Sequence, residues 1–347
     1  MDKNCNSDTV DYLDIDKNVD IRNDTRVDSV IDIQSVAHSY VLDCKEEINL
    51  KFPLSGKRLL LNESMSSHSS FRVGGSADLV FLPSSMEEAI LAIQISKNMG
   101  IPFTILGNGS NILVSDKGIR GLTIIFGQEF AKIDSQDNSV LVVDCGALLS
   151  KVAKFASKKS LAGMEFAAGI PGSIGGAVYM NAGAYDGCMA NIVVKTQGYD
   201  PNTKDLFLLE TSQEHQFAYR ESFFEKTNSI VLRTWLQLKE GNMQEINEKM
   251  DEFACKRKNS QPLDVPSAGS TFKRPLGCFA GKLIEDAGLK GCRIGGACVS
   301  LKHAGFIVND GNATARDVLD LINKVQECVY KEHGVKIDPE IRMIGEW

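Results

Sequence analysis

Gly107-Asn108-Gly109-Ser110-Asn111 and Gly169-Ile170-Pro171-Gly172-Ser173-Ile174-Gly175-Gly176 decide how this chain is read, because neither stretch carries a charged side chain. Each follows an apolar, strand-like run, so bare backbone N–H groups can close on a diphosphate that a Cβ would hold off. A dinucleotide can be held this way without lysines. Neither stretch reads G-x-G-x-x-G between a strand and a helix, which disfavours the fold that binds nicotinamide dinucleotides through that fingerprint. The pattern points to a flavin cradle of another kind. Tyr179-Met180-Asn181-Ala182-Gly183-Ala184, following closely, strengthens that reading.

The chain is 347 residues long, more than one ordinary core accommodates, and should divide into two or three domains. Its formal charge of −7 comes from residues 1–50, where twelve Asp/Glu face five Lys/Arg. The remainder is balanced, with no basic run, which argues against nucleic acid or an anionic membrane as partner. Nine cysteines without a C-x-x-C suggest free thiols in a reducing compartment. Five isolated histidines give no metal-ligand spacing, so no metal site is expected. There is neither a long apolar window nor a signal-peptide pattern, so the expected location is cytoplasmic.

Residues 1–50, rich in Asp, Asn and Ser, read as an acidic, mostly disordered extension. A first folded unit, 57–239, opens near Leu59 and divides near residue 135. Ser84-Ser85-Met86-Glu87 signals a helix start, and Met86, Ala89, Ile90 and Ile93 carry its apolar face to Gly100. Strands are expected at Phe103–Leu106, Leu122–Ile125, Val140–Asp144, Val193–Tyr199, Leu206–Glu210 and Ile230–Leu238, with a helix over Leu148–Lys158. A composition change at Glu240-Gly241-Asn242 marks a second unit, 240–347. It should hold a helix bearing Ile246, Met250, Phe253 and Ala254, another from Thr314 to Gly334, and strands at Gly305–Val308, Val335–Ile337 and Ile341–Ile344.

Polar clusters stand out against this frame. Ser267-Ala268-Gly269-Ser270-Thr271-Phe272-Lys273-Arg274-Pro275 offers a proton donor at Ser270 and an anion-binding side chain at Arg274, or simply a solvated turn. Tyr219-Arg220-Glu221-Ser222 reads equally as a surface salt-bridge corner, and Glu340, after Pro339, as an ordinary carboxylate. His68 precedes Phe71-Arg72-Val73-Gly74-Gly75 without a second signal for flavin attachment. No nucleophile elbow is present.

Taken together, Phe71 to Gly75, Leu106 to Asn111, Gly169 to Gly183, Ala218 to Ser222, Ala268 to Pro275, Phe279 to Gly291 and Asp338 to Arg342 resemble the UDP-N-acetylenolpyruvoylglucosamine reductase (MurB) family, in order, over roughly residues 58–345. The resemblance implies an α+β protein: a two-part FAD-binding domain of the vanillyl-alcohol-oxidase type followed by a smaller α+β substrate domain. It implies FAD as cofactor, NADPH as hydride donor, a UDP-sugar as substrate, and a monomer or weak homo-oligomer. By motif position, Arg220, Ser270 and Glu340 are catalytic. Arg72, Gly107, Asn108, Gly109, Ser110, Asn111, Ile170, Pro171, Gly172, Gly175, Gly176, Asn181, Gly183 and Arg342 line FAD. Tyr219, Arg274 and Lys282 meet substrate. Only a short span separates Arg220 from Ile230, so the chain resembles the branch without an inserted tyrosine loop.

The implied reaction reduces UDP-N-acetylglucosamine enolpyruvate to UDP-N-acetylmuramate for peptidoglycan. Flavin N5 supplies hydride, because no side chain can. Arg220 would hold the substrate carboxylate, Ser270 would give the proton, and Glu340 would act protonated or by orienting the serine. An oxygen-using FAD oxidase and a catalytically silent flavin-binding scaffold are the competing readings.

Overall fold

A computed structural model describes residues 33–52, 57–137 and 139–347, with the side chains of 33–38 set aside. It opens on a helix, α1 (Ile33–Lys51), within the stretch whose composition suggests a disordered extension. Val41, Cys44 and Ile48 recur at helical spacing and are buried. They pack where α1 lies across α2 (Met86–Asn98) and β2 (Ser76–Phe81), within the largest hydrophobic cluster. An apolar stripe diluted by Asp, Lys and Glu is weak in composition, yet three buried side chains anchor the helix. The expectation of disorder for residues 1–32 lies outside the described residues.

The first sheet comprises β1 (Leu59–Ser64), β2, β3 (Phe103–Leu106) and β5 (Ile119–Ile125) in the order β1-β2-β5-β3, while β4 (Ile112–Val114) leaves it to pair elsewhere. β1 runs antiparallel to β2, and β5 lies parallel to both β2 and β3. α2 begins where the Ser85 side chain accepts from the Glu88 N–H, and it crosses over from β2 to β3 as a parallel connection requires. The first glycine loop is the turn from β3 to β4.

A second, antiparallel sheet follows, built from β6 (Ile133–Ser135), β7 (Val140–Asp144), β11 (Val193–Asp200), β12 (Asp205–Leu209) and β13 (Ile230–Gln237) in the order β12-β11-β13-β7-β6. Between β7 and β11 lie α3 (Leu149–Lys158), β8 (Leu161–Ala162), α4 (Ile174–Tyr179), and a small hairpin of β9 (Gly183–Ala184) and β10 (Gly187–Cys188). α5 (Ser212–His215), α6 (Phe223–Thr227) and β14 (Lys239–Glu240) complete this half. The second glycine segment runs into α4.

α7 (Met243–Ser260) rests on α3, on β8 and on the 3-10 turn at Glu165–Ala167, and Met250 packs against the first unit's core. The composition change near 240 is therefore not the packing boundary, and α7 goes physically with the first unit. The remaining chain forms its own core from α8 (Ala280–Asp286), the sheet of β15 (Arg293–Ile294), β16 (Ala297–Val299) and β17 (Ile307–Asn309), and α9 (Ala315–His333). Thr314 and Asp317 make a capping box at the start of α9, and Gly334 ends it in the left-handed region. Val335–Ile337, expected as a strand, pairs with nothing among the described residues. Ile337 is instead pinned inward and its carbonyl accepts from Gln326 Nε2 at 2.8 Å.

The last strand, β18 (Arg342–Ile344), leaves this second unit and pairs in parallel with β4, Arg342 opposite Ile112. Ser115 N–H donates to the Ile344 carbonyl, and the two carboxylate oxygens of Asp116 accept from the Ala315 and Arg316 N–H groups at 2.8 and 2.9 Å. The two units are joined at both points.

Because Ile48 is fully buried, Ile48→Ala should lower stability by about 2–5 kcal/mol. Urea unfolding monitored by circular dichroism checks this, whereas a disordered α1 would leave the midpoint unchanged.

Candidate active site

The two glycine segments face each other. Asn108 Nδ2 donates to the Pro171 carbonyl at 2.6 Å, and a Cβ added to Gly107 would stand 2.3 Å from Ser173 Oγ. Gly109 has φ +63° and a Cβ there would lie 1.8 Å from the His68 carbonyl oxygen, so only glycine closes this turn. Among the described residues, the backbone N–H groups of Gly107, Asn108, Gly109, Ser110 and Asn111 donate to no protein acceptor, nor do those of Gly172, Ser173 and Gly176. Unpaired donors gathered in this way are open to an acceptor from outside the chain. A diphosphate carries acceptor oxygens suited to a nest of this kind.

Near these loops lies a cavity of about 370 Å³ whose walls include Tyr219, Arg220, Ser270, Arg274, Lys282 and Glu340. Arg220 sits in a tight turn, with Ala218 and Glu221 exchanging backbone hydrogen bonds of 3.1 and 3.3 Å around it. Its own φ of +60° is a strained conformation for a branched-free but bulky residue, of a kind that costs about 1–3 kcal/mol and persists where surroundings enforce it. Asn181 is one of the enforcers: its Nδ2 donates to the Ala218 carbonyl at 2.8 Å while its Oδ1 accepts from the Ala190 N–H at 3.0 Å.

Ser270 and Glu340 reach the cavity together because residues 271–273 run antiparallel to 338–340. Glu340 N–H donates to the Thr271 carbonyl and Lys273 N–H to the Asp338 carbonyl, each at 2.8 Å. Arg220 Nε donates to Glu340 Oε1 at 2.6 Å, an ion pair between a side chain 21% exposed and one 10% exposed. Burial nevertheless holds the Glu340 carboxyl above the usual carboxylate range, outweighing the Arg220 and Lys273 cations. The remaining Arg220 nitrogens bond no acceptor among the described residues. Asn111 Nδ2 donates to the Glu340 carbonyl at 3.1 Å, tying the first glycine loop to the cavity wall.

Other residues singled out in the sequence fall differently. Arg342 pairs with Glu225 at 2.8 Å and lies over the Tyr179 ring, and Arg72 is exposed. Gly183 is explained by its hairpin, since a Cβ there would stand 2.7 Å from the Gly187 carbonyl oxygen. Lys282 lines the cavity but is paired with Asp286 at 2.6 Å on the exposed face of α8. Ile170, Pro171, Gly172, Gly175 and Gly176 stay together along the second segment. The sequence reading missed Phe279, Lys302 and His303, which also line the cavity. His303 Nδ1 accepts from the Gly305 N–H at 3.1 Å, and burial holds its pKa below the ordinary value, so Nε2 carries the hydrogen. A lone histidine between short strands offered no spacing signal.

The fold and site define a two-unit, FAD-dependent oxidoreductase. Residues 77–203 match a family model described as an FAD binding domain, and residues 261–344 match one described as UDP-N-acetylenolpyruvoylglucosamine reductase, C-terminal domain. A reductase of that name from Caldanaerobacter subterraneus subsp. tengcongensis is 49% identical over 302 residues, covering 86% of this chain and 97% of that protein. One from Alkaliphilus oremlandii is 46% identical over 83% of this chain. The crystal structure of the reductase (MurB) from Thermus caldophilus superposes with a TM-score of 0.70 at 35% identity, over 82% of this chain and 98% of that one. The chain belongs to the UDP-N-acetylenolpyruvoylglucosamine reductase (MurB) family, whose members reduce a UDP-sugar with FAD. The unpaired donors of the two glycine loops fit that cofactor's diphosphate.

Gly107→Ala should drive the new methyl into Ser173 Oγ and spread the loops, overpacking that costs about 1–3 kcal/mol. FAD binding, followed by flavin fluorescence, should weaken about tenfold. Adding Ser173→Ala should recover most of the loss.

Proposed function

We propose that the chain reduces UDP-N-acetylglucosamine enolpyruvate with NADPH as electron source, using Arg220, Ser270 and Glu340. What supports this most is the Arg220–Glu340 pair meeting Ser270 on one cavity wall. Bound FAD supplies the hydride that no side chain can. Arg220 has one edge fixed by Glu340, which leaves its terminal nitrogens to hold the substrate carboxylate in a planar, bidentate contact. Negative charge that develops on the enolpyruvyl group is met there.

Ser270 gives the proton to the carbanionic carbon. A hydroxyl is a weak acid, but an enolate is a strong base, so transfer in contact is feasible. Glu340 bonds Arg220 and not Ser270. Burial raises its pKa while the paired Arg220 opposes that rise, and the contact fixes the guanidinium beside the developing enolate. On this reading the enzyme acts in a reducing cytoplasm, as a monomer or weak homo-oligomer. Among the described residues eight cysteines are free thiols and no helix is long and apolar enough to cross a membrane.

Ser270→Ala should slow reoxidation of the reduced enzyme by the enolpyruvyl sugar by about 10²–10⁴. Flavin reduction by NADPH should be unchanged. Stopped-flow absorbance separates the two half-reactions, and unaltered reoxidation would remove Ser270 from the mechanism.

A further inference from the structure

The chain is held firmly on one side of Ser270 and loosely on the other. Thr271, the next residue, is fully buried: its N–H donates to the Gly305 carbonyl at 2.8 Å, its Oγ1 accepts from the Ile307 N–H at 2.9 Å, and its carbonyl accepts from Glu340 N–H. On the upstream side Gly269 has φ +75°, and a Cβ there would meet nothing within 4 Å. Glycine is the most permissive backbone, so this turn does not set its own direction. Where the Ser270 hydroxyl points therefore depends on what holds the far side of the turn, at Ser267.

Ser267 is held from both units. Within the second unit it bridges to Val308, and from the first unit the half-buried Ser70 donates its Oγ–H to the Ser267 carbonyl at 2.7 Å. The Ser70 N–H donates in turn to the Gly109 carbonyl at 3.0 Å. One serine thus bonds the first glycine loop with its main chain and the Ser270 turn with its side chain. Its hydroxyl is not what joins the units at this point. The adjoining Phe71 is fully buried in the second unit's core together with Val73, and the Phe71 carbonyl accepts from Asn309 Nδ2 at 3.2 Å. Those contacts remain when one hydroxyl is removed.

Resting on the proton-donor reading of Ser270, we propose that Ser70 is a positioning residue for that serine, fixing the 267–270 turn at a set distance from the first glycine loop. The β18 pairing and the Thr271–Glu340 hydrogen bond secure the downstream side of Ser270. Ser70 secures the upstream side, and it does so from the same loop that offers backbone donors to the cofactor. Proton delivery to a carbon beside a bound ring is sensitive to displacements well below the width of an atom, so a single directed hydrogen bond has leverage here.

Stopped-flow measurement of both half-reactions of the FAD-loaded enzyme, in ordinary and heavy water, tests this with a double-mutant cycle. Ser70→Ala should slow reoxidation by the enolpyruvyl sugar about tenfold, the scale of one hydrogen bond that directs a reacting group, and should enlarge the solvent isotope effect on that step. Flavin reduction by NADPH and FAD affinity read by flavin fluorescence should hold, and Ser70→Thr, which keeps the hydroxyl, should recover the rate. Adding Ser70→Ala to Ser270→Ala should slow the enzyme no further, because the first residue acts only through the second. Unaltered reoxidation in Ser70→Ala, equal slowing of both half-reactions, weakened FAD binding, or losses that multiply in the double variant would overturn the proposal. Ser270→Ala that reoxidises at the ordinary rate would remove the proton-donor reading and this one with it, whereas a slow Ser270→Ala beside an unaffected Ser70→Ala would sink the positioning role alone.

Discussion

The parallel pairing of the last strand with β4 is the constraint on which the rest of the site depends. Arg342 N–H donates to the Asn111 carbonyl at 2.9 Å, and Asn111 Nδ2 reaches back to the Glu340 carbonyl. One asparagine thus sits in the first glycine loop and is bonded on both sides to the segment that carries Glu340. That pairing fixes the distance of Glu340, and of Ser270 beside it, from the first glycine loop. Asp116 adds a second tie by filling the first two N–H positions of α9, a favourable place for a carboxylate.

Placing reactive groups on different units suits chemistry between two ligands. The first unit offers a nucleotide unpaired, neutral backbone donors in its two glycine loops. The second presents the Ser270 hydroxyl, the Glu340 carboxyl and most of the cavity lining. Arg220 bridges them from the first unit, at the cost of a left-handed backbone that Asn181 and the Ala218–Glu221 hydrogen bonds enforce.

Much of the architecture was legible in the residues. α2 and α9 have apolar stripes at helical spacing with Ser85 and Thr314 at their starts, and β3 and β7 are short apolar runs that end at turns. α1 was not legible, because its stripe is diluted by charge and is stabilised by distant elements, which local propensity does not register. The boundary near 240 misled because composition changes where exposure changes, not where packing does. Within the site, the glycine loops stand out in the sequence through the absence of charge. Asn181, expected as a cofactor contact, also braces the Arg220 turn, a role that depends on a partner far along the chain. Phe279 and His303 stood in no recognisable spacing, since cavity lining is set by folding and not by sequence proximity.

A crystal structure of the enzyme with FAD bound tests the central claim most directly. The account requires the diphosphate oxygens to lie within about 2.7–3.2 Å of backbone N–H groups of the 107–111 and 172–176 segments, with the flavin ring turned toward Ser270. A diphosphate held by lysine or arginine side chains, or a flavin ring facing away from Ser270, would contradict it.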